Sequence, residues 1–178
     1  MKSFLIINFL LISIIVNSQG KYNSKIEFKD GVYLVSQKEK FGIVDSKDRV
    51  ILPIDYESIE VDDSLGMTKK NGLIGMIDIN GKVIIPNEYE AIEFDGSHGM
   101  TKKNGLIGMI DINGKVIIPN EYEAIEFDGN FGMTKKNGLI GLINLDGKVI
   151  IPNEYDAIEI DGKNARVVKN GKQKTIKI

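Results

Sequence analysis

From Lys21 onward, short runs in which apolar and polar residues alternate are separated by glycine-containing dipeptides. Gly66 to Lys70, Leu73 to Asp78 and Lys82 to Ile85 read as three strands joined by Asn71-Gly72 and Asn80-Gly81. Both dipeptides predict two-residue type I′ hairpin turns, because that turn needs positive φ at both central positions and Asn-Gly meets the need at least cost. Pro86 is expected to end the third strand by removing a backbone donor. Tyr89 to Phe94 then predicts a fourth short strand, Ile92 and Phe94 alternating against Glu93, before Asp95-Gly96 turns the chain back. Helix gains little support, since β-branched residues cluster and glycines interrupt every candidate stretch.

The pattern repeats. Residues 67–96 and 100–129 are identical over thirty positions at an offset of 33, and the period extends in both directions with drift. Gly42, Gly75, Gly108 and Gly141 share one phase; Pro53, Pro86, Pro119 and Pro152, the only four prolines, share another. Four units are drawn at 38–70, 71–103, 104–136 and 137–169, with partial units at 21–37 and 170–178. A fixed period of this length means stacked supersecondary units that cannot bury their apolar faces alone. The expected fold is all-β: tandem 33-residue repeats of short antiparallel strands and hairpins in an open, twisted β-solenoid-like array, forming a single domain over 19–178. The alternative is a small five-bladed β-propeller, since the Gly-Met-Thr strand has five phases, at 33–37, 66–70, 99–103, 132–136 and 165–169.

The first 18 residues follow other rules: Lys2, an apolar run from Phe4 to Val16, then Val16-Asn17-Ser18. This predicts a secretory signal peptide, cut after Ser18, too short in its apolar run to span a bilayer. No second such run follows, so no transmembrane segment is expected after cleavage. The expected location is exported, periplasmic or extracellular. With no Cys in the chain there is no lipidation point, no disulfide framework and no thiolate metal site. A single His leaves no His pair for a metal, and the near-neutral charge of −2 gives no excess of cations for a nucleic acid. The charge is uneven: residues 38–169 carry 16 basic against 23 acidic side chains, while 170–178 carry three lysines and no acid. Divergent ends of this kind suit capping segments, or two ends that meet.

Lys-Asn-Gly-Leu-Ile-Gly-Met-Ile-Asp-Ile-Asn-Gly-Lys-Val-Ile-Ile-Pro-Asn-Glu-Tyr, at residues 70–89 and recurring in the next two units, resembles the WG (KWG) repeat of bacterial proteins. The departure is the signature aromatic: Phe41, Ile74, Ile107 and Ile140 stand where the family usually has Trp, and the following glycine is kept. An aliphatic residue preserves burial, so the fold expectation stands. The resemblance implies an extracytoplasmic or surface-associated β-repeat protein with no catalytic residue and no cofactor.

Asp-Ile-Asn-Gly at 78–81 suggests calcium, but an EF-hand loop needs Gly at its sixth position and Glu at its twelfth, where this chain has Gly at the fourth and Tyr89 at the twelfth. Glu88, Glu90, Glu93 and Asp95, repeated 33 residues on, read as a solvated acidic face, with Lys69-Lys70 and its repeats as the complementary row. His98 shares its phase with Leu65, Phe131 and Asn164 and reads as a turn residue. The candidate binding column is Tyr56, Tyr89, Tyr122 and Tyr155. Exposed, these rings would hold sugars or aromatic groups; turned inward, they form a core ladder, which their place after a proline corner favours. No metal or cofactor is expected. The function expected is a non-catalytic binding module for a protein or glycan at the cell envelope, with a passive spacer as the alternative and an enzyme disfavoured.

Overall fold

The computed structural model describes residues 21–62 and 64–178, so the predicted signal at 1–18 lies outside it. The described chain is all β, in five antiparallel meanders. The first sheet holds β1 (Ser24–Lys29), β2 (Val32–Gln37), β3 (Lys40–Asp45) and β4 (Val50–Tyr56). The second holds β5 (Ser58–Val61), β6 (Leu65–Lys70), β7 (Leu73–Asp78) and β8 (Val83–Tyr89). The third holds β9 (Ala91–Asp95), β10 (His98–Lys103), β11 (Leu106–Asp111) and β12 (Val116–Tyr122). The fourth holds β13 (Ala124–Asp128), β14 (Phe131–Lys136), β15 (Leu139–Asn144) and β16 (Val149–Tyr155). The fifth has three strands, β17 (Ala157–Asp161), β18 (Asn164–Lys169) and β19 (Lys172–Lys177). Sheets pack substantially only on their neighbours, and the array is open rather than closed into a propeller.

Two local expectations are corrected. Pro86 does not end the third strand: β8 runs through it to Tyr89, and the ladder shifts register between Met76↔Ile85 and Ile74↔Tyr89. A proline is tolerated there because β8 is the edge strand of its sheet and is bulged at that point. Its outer side needs no donor. Tyr89 therefore belongs to the second sheet, and Ala91–Asp95 opens the third by pairing with β10. The second correction concerns Asn80-Gly81. Asn71 and Gly72 have φ of 53° and 76°, as a type I′ turn requires, but in the second dipeptide only Gly81 is positive, at 82°. The Gly81 N–H donates to the Asp78 carbonyl at 2.9 Å, and the Asp78 N–H to the Lys82 carbonyl at 2.8 Å. That is a type I turn followed by a left-handed glycine bulge. The Asp78 carboxylate selects it by accepting the Asn80 and Lys82 amides at 2.8 and 2.9 Å.

The core is segmented, one cluster at each junction between sheets. Met76, Ile85, Tyr89 and Ile110 join the second and third; Met109, Ile118, Tyr122 and Ile143 join the third and fourth. Each fully buried Ile contributes about 1.5–3 kcal/mol relative to exposure, so stability is distributed along the array as repeated interface terms. A glycine sets the packing inside each four-stranded sheet: a Cβ on Gly108 would lie 2.6 Å from the Ile118 carbonyl oxygen and 2.8 Å from the Asn120 nitrogen. No other residue lets the bulged fourth strand come this close.

Candidate functional site

The repeat places the same three constellations at successive junctions. The first is the tyrosine column. Tyr56, Tyr89, Tyr122 and Tyr155 are 2–5% exposed, so the column is the core ladder rather than an open binding face. The ammonium groups of Lys70, Lys103, Lys136 and Lys169 stand 5.2, 5.6, 5.8 and 5.8 Å from the respective ring centroids. Each of these lysines is also paired with the acid before the tyrosine, Lys103 with Glu88 and Lys136 with Glu121 at 3.0 Å. Burial pushes the Tyr56, Tyr89 and Tyr122 hydroxyls above the usual phenol range, and Glu88 and Glu121 add to the shift at the last two.

The second constellation was not singled out in the sequence. Asn120 Nδ2 donates to the carbonyls of Thr101 and Leu106, both at 3.1 Å, and to Thr101 Oγ1 at 3.0 Å. Asn87 with Thr68 and Asn153 with Thr134 repeat it. The hydroxyls are almost fully covered. In the first sheet the corresponding pair is Val35 and Ile54, so polar and apolar versions occupy the same place as whole pairs. The pattern visible in the sequence is this joint exchange at a spacing of 19 residues.

The third constellation is a groove. A cavity of about 370 Å³ lies between the second and third sheets, with Met67, Ile74, Ala91 and Ile92 on its walls and Glu60, Glu90 and Glu93 beside one Lys69. A second cavity of about 370 Å³ between the third and fourth sheets is lined by the residues 33 positions on, Met100, Ile107, Ala124 and Ile125 with Glu93, Glu123, Glu126 and Lys102. Glu93 serves both grooves. Each lip glutamate sits opposite a methionine across the ladder, Glu60↔Met67, Glu93↔Met100 and Glu126↔Met133. The series changes at the fifth sheet, where Arg166 takes the methionine position and pairs with Glu159 at 2.6 Å.

The predicted acidic face is thus divided by structure. Glu90 and Glu123 accept the N–H of Gly105 and Gly138 at 2.9 and 3.0 Å, tying the next hairpin turn. Glu88 is paired with lysine, Asp95 is exposed at a turn, and Glu93 stays on the groove lip. The Asp78 carboxylate serves its own turn: burial, the largest influence, raises its pKa, but the Lys82 and Asn80 amides outweigh it and hold the group below its ordinary value. Among the described residues there is no group of three or more His, Cys, Asp or Glu placed to hold a metal. His98 opens β10, exposed, its Nδ1 3.3 Å from Ser97 Oγ. No helix among the described residues is long and apolar enough to cross a membrane.

Among solved structures, Kluyveromyces lactis Hsv2 is similar at 14% identity and a TM-score of 0.34, over 85% of this chain and 60% of that one. The AfRom2 CNH domain matches at 10% identity and 0.29, over 88% and 70%, and the WD40 β-propeller domain of Doa1 at 14% and 0.28, over 90% and 70%. The chain spans about three fifths of the length of Hsv2, and at these scores nothing those proteins do is carried to it. No curated protein matches the sequence. The model of the WG containing repeat matches residues 74–106, 107–139 and 140–172, contiguous and together more than half of the chain. With the repeat period, the kept glycine and the five meanders in agreement, the chain belongs to the WG repeat family.

Proposed function

We propose that this chain is an exported, non-catalytic binding module that engages a partner at the cell envelope through its row of inter-sheet grooves. The observation that carries the reading is the recurrence of one groove at a 33-residue step with the same lining. Apolar walls supply contact area, and the lip carboxylates that make no ion pair among the described residues, Glu60 and Glu93 beside Lys69 at one groove and Glu93 and Glu126 at the next, favour a cationic ligand. A partner protein presenting an extended segment of basic and apolar residues fits this chemistry, and spanning two grooves would raise its avidity. A nucleic acid would meet repulsion from the same lips. The apolar run and small-residue end at 1–18 support export to the periplasm or the outside.

The test is a pull-down from envelope extract with the purified chain and with the Glu60→Lys/Glu93→Lys/Glu126→Lys variant, followed by a titration of the captured partner. Saturable capture that the variant loses supports the reading. Equal capture by both proteins refutes the groove, and empty eluates together with tolerance to deletion of residues 104–136 favour a spacer. Capture of a neutral sugar on a glycan array, unaffected by the variant, transfers the function to a different surface.

A further inference from the structure

Besides Arg166 and its missing fourth strand, the fifth sheet departs from the others in its last strand. Where β7, β11 and β15 carry Leu-Ile-Gly, at 73–75, 106–108 and 139–141, β19 carries Lys172-Gln173-Lys174. In the inner sheets that glycine admits the bulged fourth strand. β19 pairs only with β18, so a long side chain fits at Lys174. Beside it lies a pocket of about 300 Å³ between the fourth and fifth sheets, lined by Tyr155, Lys169, Asn170, Lys172, Gln173 and Lys174.

The electrostatics differ from those of the inner junctions. There, Lys102 and Lys103 meet Glu90 and Glu88 one for one, at 3.9 and 3.0 Å, and one ammonium stands over each tyrosine. Here, two converge on one ring, Lys169 Nζ at 5.8 Å and Lys174 Nζ at 5.3 Å from the Tyr155 centroid. Two carboxylates are near. Glu154 is paired with Lys169 at 2.8 Å, and Asp156 accepts the Asn170 N–H at 2.8 Å; neither lines the pocket. Among the described residues, Lys172 and Lys174 make no ion pair. The place that is neutral and apolar in the inner units has become a cationic pocket with two amide side chains, Asn170 and Gln173, on its wall.

We propose that this pocket binds a phosphate or sulfate ester, with Lys172 and Lys174 neutralising the oxyanion and the amides of Asn170 and Gln173 donating to its oxygens. Two unpaired ammonium groups match a dianion in charge, and three donors on each lysine suit a tetrahedral group without fixed orientation. The site lies apart from the acidic grooves and has opposite ligand preference, so the two readings stand or fall separately.

The experiment follows the backbone amides of the ¹⁵N-labelled chain during titration with inorganic phosphate and inorganic sulfate, chloride holding the ionic strength constant. Saturable shifts are expected at Asn170, Gln173 and Lys174, with affinity at least about tenfold weaker in Lys172→Gln/Lys174→Gln and unchanged in Glu93→Gln. Lys174→Arg keeps the charge and is expected to keep binding. O-phosphoserine and a sulfated monosaccharide then distinguish a peptide source from a glycan source. Shifts that never saturate, or that match in the wild type and the double glutamine variant, overturn the proposal and leave the lysines as guards of an open sheet edge.

Discussion

Replacing Asn120 by Ile, alone and together with Thr101→Val, tests whether the buried Asn–Thr pair acts as a unit. In the wild type the Asn120 amide serves the Thr101 and Leu106 carbonyls and the Thr101 hydroxyl at 3.0–3.1 Å. Thr101 is 2% exposed, so water does not replace a lost partner. A buried polar group left unsatisfied costs about 1–3 kcal/mol, and Asn120→Ile is expected to cost about 2–3 kcal/mol because the hydroxyl is stranded while both carbonyls keep only their ladder contacts. Thr101→Val is expected to cost about 1 kcal/mol. The double variant recreates the Val35 and Ile54 pair that the first sheet already carries. It should therefore be less destabilised than the sum of the singles, by a coupling of about 1 kcal/mol or more. Urea unfolding followed by far-UV circular dichroism measures this, since the chain has no Trp to report by fluorescence. Comparing m-values checks that the array still unfolds cooperatively. Strictly additive singles, or a double variant worse than their sum, would refute the view that the pair exchanges as one packing unit.

Gly108→Ala should destabilise by several times as much as Gly105→Ala in the same urea assay. The first drives a Cβ against the β12 backbone, and the second meets only strain at a φ of 75° with open space around it, about 1 kcal/mol. The turn carboxylates Asp45, Asp62 and Asp78 titrate below their ordinary range in the folded chain, so their contribution is present above about pH 4 and is lost as pH falls through the folded values. Asp78→Asn should keep the turn, as Asn144 does in the fourth sheet, and should flatten the loss of urea midpoint between about pH 4 and pH 2. An unchanged pH dependence would count against the turn carboxylates as its source. Tyrosine burial acts at the other end. Folded phenols raised above about 10 contribute stability that is full below that pH and lost as pH rises through the folded values. Ultraviolet titration should show the phenolates of Tyr56, Tyr89 and Tyr122 appearing only above about pH 10 and together with unfolding, and their free ionisation near pH 10 in the folded chain would contradict the burial of these rings.

Local signals were legible where the chemistry is local. Leu73–Asp78 was readable to the residue, and so was the Asn71-Gly72 turn, because Asn-Gly between apolar runs has few other conformations. The turn at Asn80-Gly81 was legible too, but in a different residue: Asp78, two positions before the Asn, redirects it by accepting two amides. Glu93 was visible as an acidic position, whereas its place on a groove was not, because Met67 on the facing wall comes from the preceding sheet. Glu90 looked equivalent to Glu93 in composition, and its bond to the Gly105 N–H and its pairing with Lys102 separate them.

By itself the sequence determined the period, the strand character and the hairpins, since these depend on residues a few positions apart and on backbone preferences that act alike in every unit. The tertiary structure decided where one sheet ends and the next begins, that the tyrosine rings lie inside, and which carboxylates stay on a groove lip. Those outcomes depend on packing between sheets, where a bulged edge strand needs a glycine beneath it and buried area is gained only when neighbouring units meet. It also decided that three lysines of the last unit share a pocket, which a count of charge could register as a basic end but could not place.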